Sequence, residues 1–136
     1  MSLTIVTCTA GLHHLPYDKQ ERFLTTLSRV LKPEGVAIIG DPYIPDYTER
    51  WERKVGATKL GCAFIESAIM MNARIPVIKA AIDVMYNDIF GCEYKTSVAK
   101  IRPMFKRHFR IVEERFTWKP ESGRDYGDCL FVLKKK

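Results

Sequence analysis

Two adjacent histidines, His13 and His14, stand between the apolar run Leu3-Thr4-Ile5-Val6-Thr7-Cys8-Thr9 and the first helical pattern of this 136-residue chain. Imidazoles ligate metals and exchange protons near neutrality. Neighbouring side chains point in different directions, however, and no Cys, Asp or His at ligand spacing joins the pair, so the sequence predicts no metal site. The simpler reading has one ring packed or capping in the turn before the helix and the other solvated. Asp41, followed by Pro42 and Tyr43, offers a carboxylate that accepts a hydrogen bond from a ligand or caps the turn at the proline. Tyr43, Tyr47, Trp51, Met70, Met71 and Met85 are of the types that line an apolar substrate pocket under a helical lid, although such residues at helical spacing are more often plain core. Glu93-Tyr94-Lys95-Thr96-Ser97 is polar and compact, suited to a substrate loop or to a helix cap.

The elements that must position these groups follow from periodicity. The run Leu3 to Thr9 is β-branched, apolar and uncharged, the pattern of a strand buried on both faces of a parallel sheet. Asp18 and Glu21 make a capping box for a helix over residues 18–32, with Phe23, Leu24, Leu27, Val30 and Leu31 on one face and Lys32-Pro33-Glu34-Gly35 as its stop. Val36 to Gly40 is a second apolar strand, so the order strand, helix, strand implies a right-handed βαβ unit with two parallel neighbours. Asp41 and Tyr43 then lie just past the carboxyl end of that strand, where doubly wound sheets bind ligands.

From Asp46 to Phe90 the pattern is helical, with Asp46 and Glu49 as a second capping box, Pro76 dividing the stretch, and Gly56 and Gly61 as further potential breaks. Thr96 or Ser97 caps a shorter helix bearing Val98, Ile101 and Phe105, near whose end Pro103 sits. Phe109 to Trp118 and Tyr126 to Leu133 read as an antiparallel hairpin joined by a polar loop. The expected fold is α/β, one domain over 1–136, with a helical lid or substrate-side segment over 46–106.

A net charge of +6 permits anionic partners, but Lys and Arg are scattered; the one basic run, Lys134-Lys135-Lys136, reads as a solvated tail. No aromatic platform interleaves with the basic residues, so nucleic-acid binding is not expected. The cysteines at 8, 62, 92 and 129 form no C-x-x-C pair and read as reduced, mostly buried thiols of a cytoplasmic protein. The most apolar stretch, Cys62 to Met85, is interrupted by Glu66, Arg74, Pro76, Lys79 and Asp83, which excludes a membrane anchor there.

The order of elements, with Ile5-Val6-Thr7-Cys8, Leu12-His13-His14-Leu15-Pro16, Arg29-Val30-Leu31-Lys32-Pro33-Glu34-Gly35 and the strand Val36 to Gly40, resembles the second half of class I, Rossmann-like, S-adenosylmethionine-dependent methyltransferases. The resemblance covers about residues 3–45 and the terminal hairpin. It implies that Leu3 to Thr9 is the fourth of seven strands, Val36 to Gly40 the fifth, and the hairpin the sixth and seventh. It also implies that Thr7, Cys8, Thr9, Ala10 and His13 line the methionine end of the cofactor, Thr9 and His13 foremost, with His14, Asp41 and Tyr43 on the substrate side. The glycine-rich turn that grips the cofactor in the family would precede the matched region. Glycines stand at 11, 35, 40, 56, 61, 91, 123 and 127, and no two make a G-x-G.

The resemblance therefore implies a methyltransferase of small or apolar acceptors, present as a fragment that is inactive and binds no S-adenosylmethionine by itself. In the full fold the fourth strand pairs with the first. The edge of Leu3 to Thr9 is accordingly expected to pair with a second copy or with a separate N-terminal half. The competing expectation is a non-catalytic interaction or dimerisation module derived from the same fold.

Overall fold

A run of apolar residues becomes a strand only where a neighbour takes its hydrogen bonds, and here each of the four expected strands finds one. The computed structural model describes residues 2–91, 93–123 and 125–136; the readings that touch Met1, Cys92 and Arg124 lie outside the described residues. The elements are β1 (Leu3–Thr9), a 3-10 turn (Leu12–His14), α1 (Tyr17–Val30), β2 (Leu31–Tyr43), α2 (Arg50–Met70), α3 (Ile75–Phe90), α4 (Val98–His108), β3 (Phe109–Trp118) and β4 (Gly127–Lys135). The sheet order is β1-β2-β4-β3, with β1 and β2 parallel and the other pairs antiparallel. This is the expected α/β class, two parallel strands continued by an antiparallel hairpin.

The sheet buries one face. Ala37, Ile39 and Tyr43 of β2 and Cys129, Phe131 and Leu133 of β4 meet Leu24 and Leu27 of α1 and Ile101 and Phe105 of α4 in one core. The alternate residues Val36, Ile38, Leu130 and Val132 are only half-buried. The two-faced burial expected for β1 is not found: Thr7 and Thr9 are exposed and Ile5 is 61% exposed, while Val6 and Cys8 pack on the core. The reason is geometric, since β1 ends the sheet and α1 and α4 lie over one side of it.

Local departures from the sequence reading have identifiable causes. Pro16 stands at the N-cap of α1 without a side-chain cap bond, so Asp18 falls inside the first turn, where its charge suits the positive helix end. The helix ends at Val30 rather than 32; Leu31 is already extended, and the chain bulges through Glu34 (φ 63°) before rejoining the register at Val36. The terminal lysines are not a solvated tail: Lys134 pairs with Glu34, Lys135 Nζ donates to Leu31 O at 2.7 Å and Lys136 Nζ to Lys106 O at 2.5 Å.

The capping box of α2 is Glu49 with Glu52 rather than Asp46 with Glu49, and Asp46 instead accepts from Ser97 Oγ at 2.5 Å. Pro76 does open α3, but Gly56 and Gly61 do not interrupt α2. Gly61 is where the two helices approach most closely, because a Cβ there would collide with the Met85 side chain. Ser97 caps α4 by accepting from Lys100 N, and Pro103 is carried within that helix. No helix among the described residues is long and apolar enough to cross a membrane.

Candidate functional site

The carboxyl end of β1 lies beside β2, Thr9 opposite Gly40, and β2 runs on to Tyr43, paired there with β4. Ala10 turns with a positive φ of 51° and donates its backbone N–H to Gly40 O at 2.8 Å. The tight 3-10 turn that follows aims His13 back over β2. Both oxygens of Asp41 are then occupied by one residue: Oδ2 accepts the His13 backbone N–H at 2.9 Å and Oδ1 takes ring Nδ1 at 2.8 Å. His13 and Asp41 are each 6% exposed. A buried carboxylate needs this full hydrogen-bonding, and the pair locks the turn after β1 onto the end of β2.

The stretch Glu93 to Ser97 completes the site from the far end of α3. Gly91 ends α3 in the left-handed conformation, φ 86°. Tyr94 N donates to His13 O at 2.7 Å, Ile44 N donates to Thr96 O at 3.0 Å, and Gln20 Nε2 donates to Leu15 O and Tyr94 O. Lys95, only 2% exposed, sits between Glu93 at 2.6 Å and Asp88 at 3.5 Å. Arg53 of α2 adds a second cation: it donates to Asp88 Oδ1 at 2.9 Å, to the Asp88 and Glu93 carbonyls, and to Tyr17 Oη at 2.7 Å. Tyr17 donates in turn to Lys95 O at 2.9 Å, and burial pushes its phenol up to about 12. The stretch expected as a substrate loop or a cap is thus a buried tie between sheet, α1 and the α2–α3 hairpin, and Ser97 is also a cap.

Thr7, Thr9 and Ala10 are exposed at the strand end, Cys8 is half-buried, His13 is buried and His14 exposed. The structure therefore groups Thr7 through His14 with Asp41 at one edge. Tyr43 is not brought there: it is 1% exposed, its ring packs edge-on against Phe131, and its hydroxyl has no hydrogen-bond partner among the described residues. Burial raises the Cys8 thiol, with Asp41 adding to the shift, so Cys8 is a thiol and not a thiolate near neutral pH. Cys8, Cys62 and Cys129 are free, Cys62 being exposed rather than buried.

Burial, and after it the Asp41 carboxylate, raises the Asp128 carboxyl above its ordinary 3.8. A raised acid favours the fold when protonated; that contribution is present below the unfolded value and is lost as pH rises through the folded one. Asp128→Asn should raise the melting temperature at pH 7 and leave it unchanged near pH 3. A variant less stable at pH 7 would show that the attraction from His13 and Lys95 outweighs burial.

The residues expected to line one apolar pocket are divided. Met85 lines a cavity of about 280 Å³ between α2 and α3 with Leu60, Phe64, Val77 and Val84, and Asp88 and Lys95 also border it. Met70 and Met71 belong to an open groove of about 1100 Å³ bounded by Trp118 and Tyr126. Tyr47 packs on Ile44, and Trp51 is 64% exposed.

Comparison with known proteins bears on this architecture. Residues 1–39 match the family model of the methyltransferase domain. No curated protein matches. Among solved structures, the chain superposes on a putative methyltransferase from Bacillus halodurans C-125 with a TM-score of 0.56 at 16% identity, covering 99% of this chain and 64% of that one. A S-adenosylmethionine-dependent methyltransferase from Methanosarcina mazei gives 0.54 at 14% identity, covering 98% and 59%. PKMT2 from Rickettsia typhi, solved with S-adenosylhomocysteine, gives 0.55 at 11%, covering 98% and 36%.

This is a methyltransferase fold. The β1–turn–α1–β2 unit that carries His13 lies within or beside the matched segment, and the α2–α3 hairpin and β3–β4 lie beyond it. The chain spans 64%, 59% and 36% of the length of these three structures. As for fit to a cofactor, Thr7, Thr9 and Ala10 are exposed at the strand end and open to a ligand there. Both oxygens of Asp41 are taken by His13, and Glu93 Oε2 is taken by Lys95.

Proposed function

We propose that this chain is the C-terminal portion of an S-adenosylmethionine-dependent methyltransferase and supplies one wall of its cofactor site. The observation that carries the reading is the edge where Thr7, Thr9 and Ala10 are open while His13 is held by Asp41, at the carboxyl end of β1 in a methyltransferase fold. Methyl transfer from a sulfonium is an in-line displacement. The protein's task is alignment and exclusion of water, worth up to about 7–11 kcal/mol of the barrier. A turn immobilised by buried hydrogen bonds, as His13 and Asp41 immobilise this one, suits that task. His14, exposed beside it, faces the acceptor side in this reading, and Tyr43, buried against Phe131, takes no part in binding.

The acceptor is small or apolar in this reading. The cavity between α2 and α3 falls just under the roughly 300 Å³ at which pockets for drug-sized ligands begin, and its wall is aliphatic and aromatic with a charged pair at one end. Its partner wall comes from a second copy or a separate N-terminal half paired along β1, whose outer backbone edge is unpaired among the described residues. That same edge, with the half-buried sheet face beside it, favours the second reading, an interaction module that has kept the sheet without catalysis.

Amide chemical-shift mapping with S-adenosylhomocysteine at millimolar concentration tests the wall. Shifts confined to residues 7–14 and 40–42 are expected. Shifts centred on the α2–α3 cavity, or none at saturating ligand, would contradict it.

A further inference from the structure

We propose that His13, His14 and Glu93 form a binding site for one divalent transition-metal ion, zinc or cobalt, with Asp41 as the carboxylate that orients His13. The sequence argued against such a site on two grounds, that adjacent histidines diverge and that no third ligand joins them. The structure removes both. In the 3-10 turn the two rings lie side by side, centroids 4.1 Å apart and planes 38° apart, and Glu93, eighty positions along the chain, arrives between them. The donor atoms of the three residues all lie within 4.8 Å of one another.

The decisive atom is His13 Nε2. Asp41 accepts at Nδ1, which places the ring proton there and leaves Nε2 presenting a lone pair. The group it faces is the Glu93 carboxylate, Oε2 at 3.4 Å, an ion pair when Nε2 carries a proton and a pair of facing lone pairs when it does not. Two lone pairs facing each other in a site only 6% and 9% exposed call for a cation between them, a proton or a metal. A carboxylate on the far nitrogen of a histidine whose near nitrogen is free is the arrangement by which proteins orient metal-ligating imidazoles.

Charge points the same way. Asp41, Asp88 and Glu93 are three buried carboxylates, and the fixed cations among them are Arg53 and Lys95, so one negative charge is unmatched by a permanent cation. Lys95 donates to Glu93 Oε2 at 2.6 Å, the oxygen that also faces His13 Nε2, while Oε1 stands 4.0 Å from His14 Nδ1, so the carboxylate presents one oxygen to each imidazole.

The distances suit the ion. Bonds of about 2.0–2.2 Å set ligand atoms roughly 3.3–3.6 Å apart around a tetrahedral metal. His13 and Glu93 are already so spaced, and His14, with a 58% exposed side chain, has the freedom to close the remainder. Two imidazoles and one carboxylate suit borderline metals and leave coordination positions open on the solvent side for water or an oxygen ligand. The site stands independently of any methyl-transfer role.

The test is titration of Co(II) into the untagged, chelator-stripped chain, read by visible absorption, with Zn(II) in competition. One equivalent with d–d bands of nitrogen and oxygen ligation is expected, and both His14→Ala and Glu93→Gln should weaken it at least about tenfold. His14 is exposed, so its variant keeps the fold, to be verified by circular dichroism, and Glu93→Gln is the second, independent variant. Absence of a band up to millimolar Co(II), thiolate charge-transfer bands, or affinity unchanged in His14→Ala would overturn the proposal.

Discussion

Asp88→Ala should cost about 3–5 kcal/mol of folding stability, the penalty of breaking a buried ion pair from one side. Asp88 is 2% exposed, its two oxygens face Arg53 at 2.9 Å and Lys95 at 3.5 Å, and the side chains of the two cations are only 12% and 3% exposed. Removing the carboxylate leaves Lys95 with Glu93 alone and gives Arg53 only carbonyls and Tyr17. Because whole domains are stable by only about 5–15 kcal/mol, this is a large fraction of the total. By contrast Asp18→Ala, which breaks the exposed Asp18–Lys19 pair at 3.7 Å, should cost less than about 1 kcal/mol. Urea unfolding of the two variants makes the comparison. A loss below 1 kcal/mol for Asp88→Ala would mean that the network is solvated and ties nothing together.

The second large effect is on association. β1 offers a row of unpaired backbone groups along one edge, and Ile5 projects from the uncovered face at 61% exposure. Such an edge is a template for another strand. The chain alone should sediment as a dimer or larger species at micromolar concentration, with amides of residues 4–8 protected from exchange. Ile5→Lys, which places a charge on the edge as natural edge strands do, should shift the population to monomer. A monodisperse wild-type monomer with fast exchange along residues 4–8 would rule the pairing out.

How much of this was legible beforehand depended on the range of the forces involved. The strands and α1 follow from apolar periodicity, a local property, and their order placed Asp41 at a ligand-binding edge. The family resemblance placed Thr7 through His13 there as well. Caps were less secure, because Asp46, Glu49 and Glu52 all compete for the start of α2 and the long-range bond from Ser97 decides it by taking Asp46. The burial of Tyr43 was missed because period alone does not say which face of β2 is covered.

The charge network was not legible at all. Arg53 stands far along the chain from Asp88, Glu93 and Lys95, and charged residues in a sequence are ordinarily read as solvated. Their one local signal was that Glu93 to Ser97 is polar yet free of glycine and proline, unlike a loose connection. His13 and Glu93 meet only because Tyr94 N is bonded to His13 O, a tertiary contact that no spacing rule encodes.

The central claim is that this chain provides one wall, and not the whole, of a cofactor site. Calorimetric titration of S-adenosylmethionine and S-adenosylhomocysteine into the purified chain at tens of micromolar tests it most directly. The account predicts no measurable heat from either ligand. Micromolar binding with a defined stoichiometry would contradict it, because an assembly of this chain would then have built a complete cofactor pocket without a glycine-rich turn.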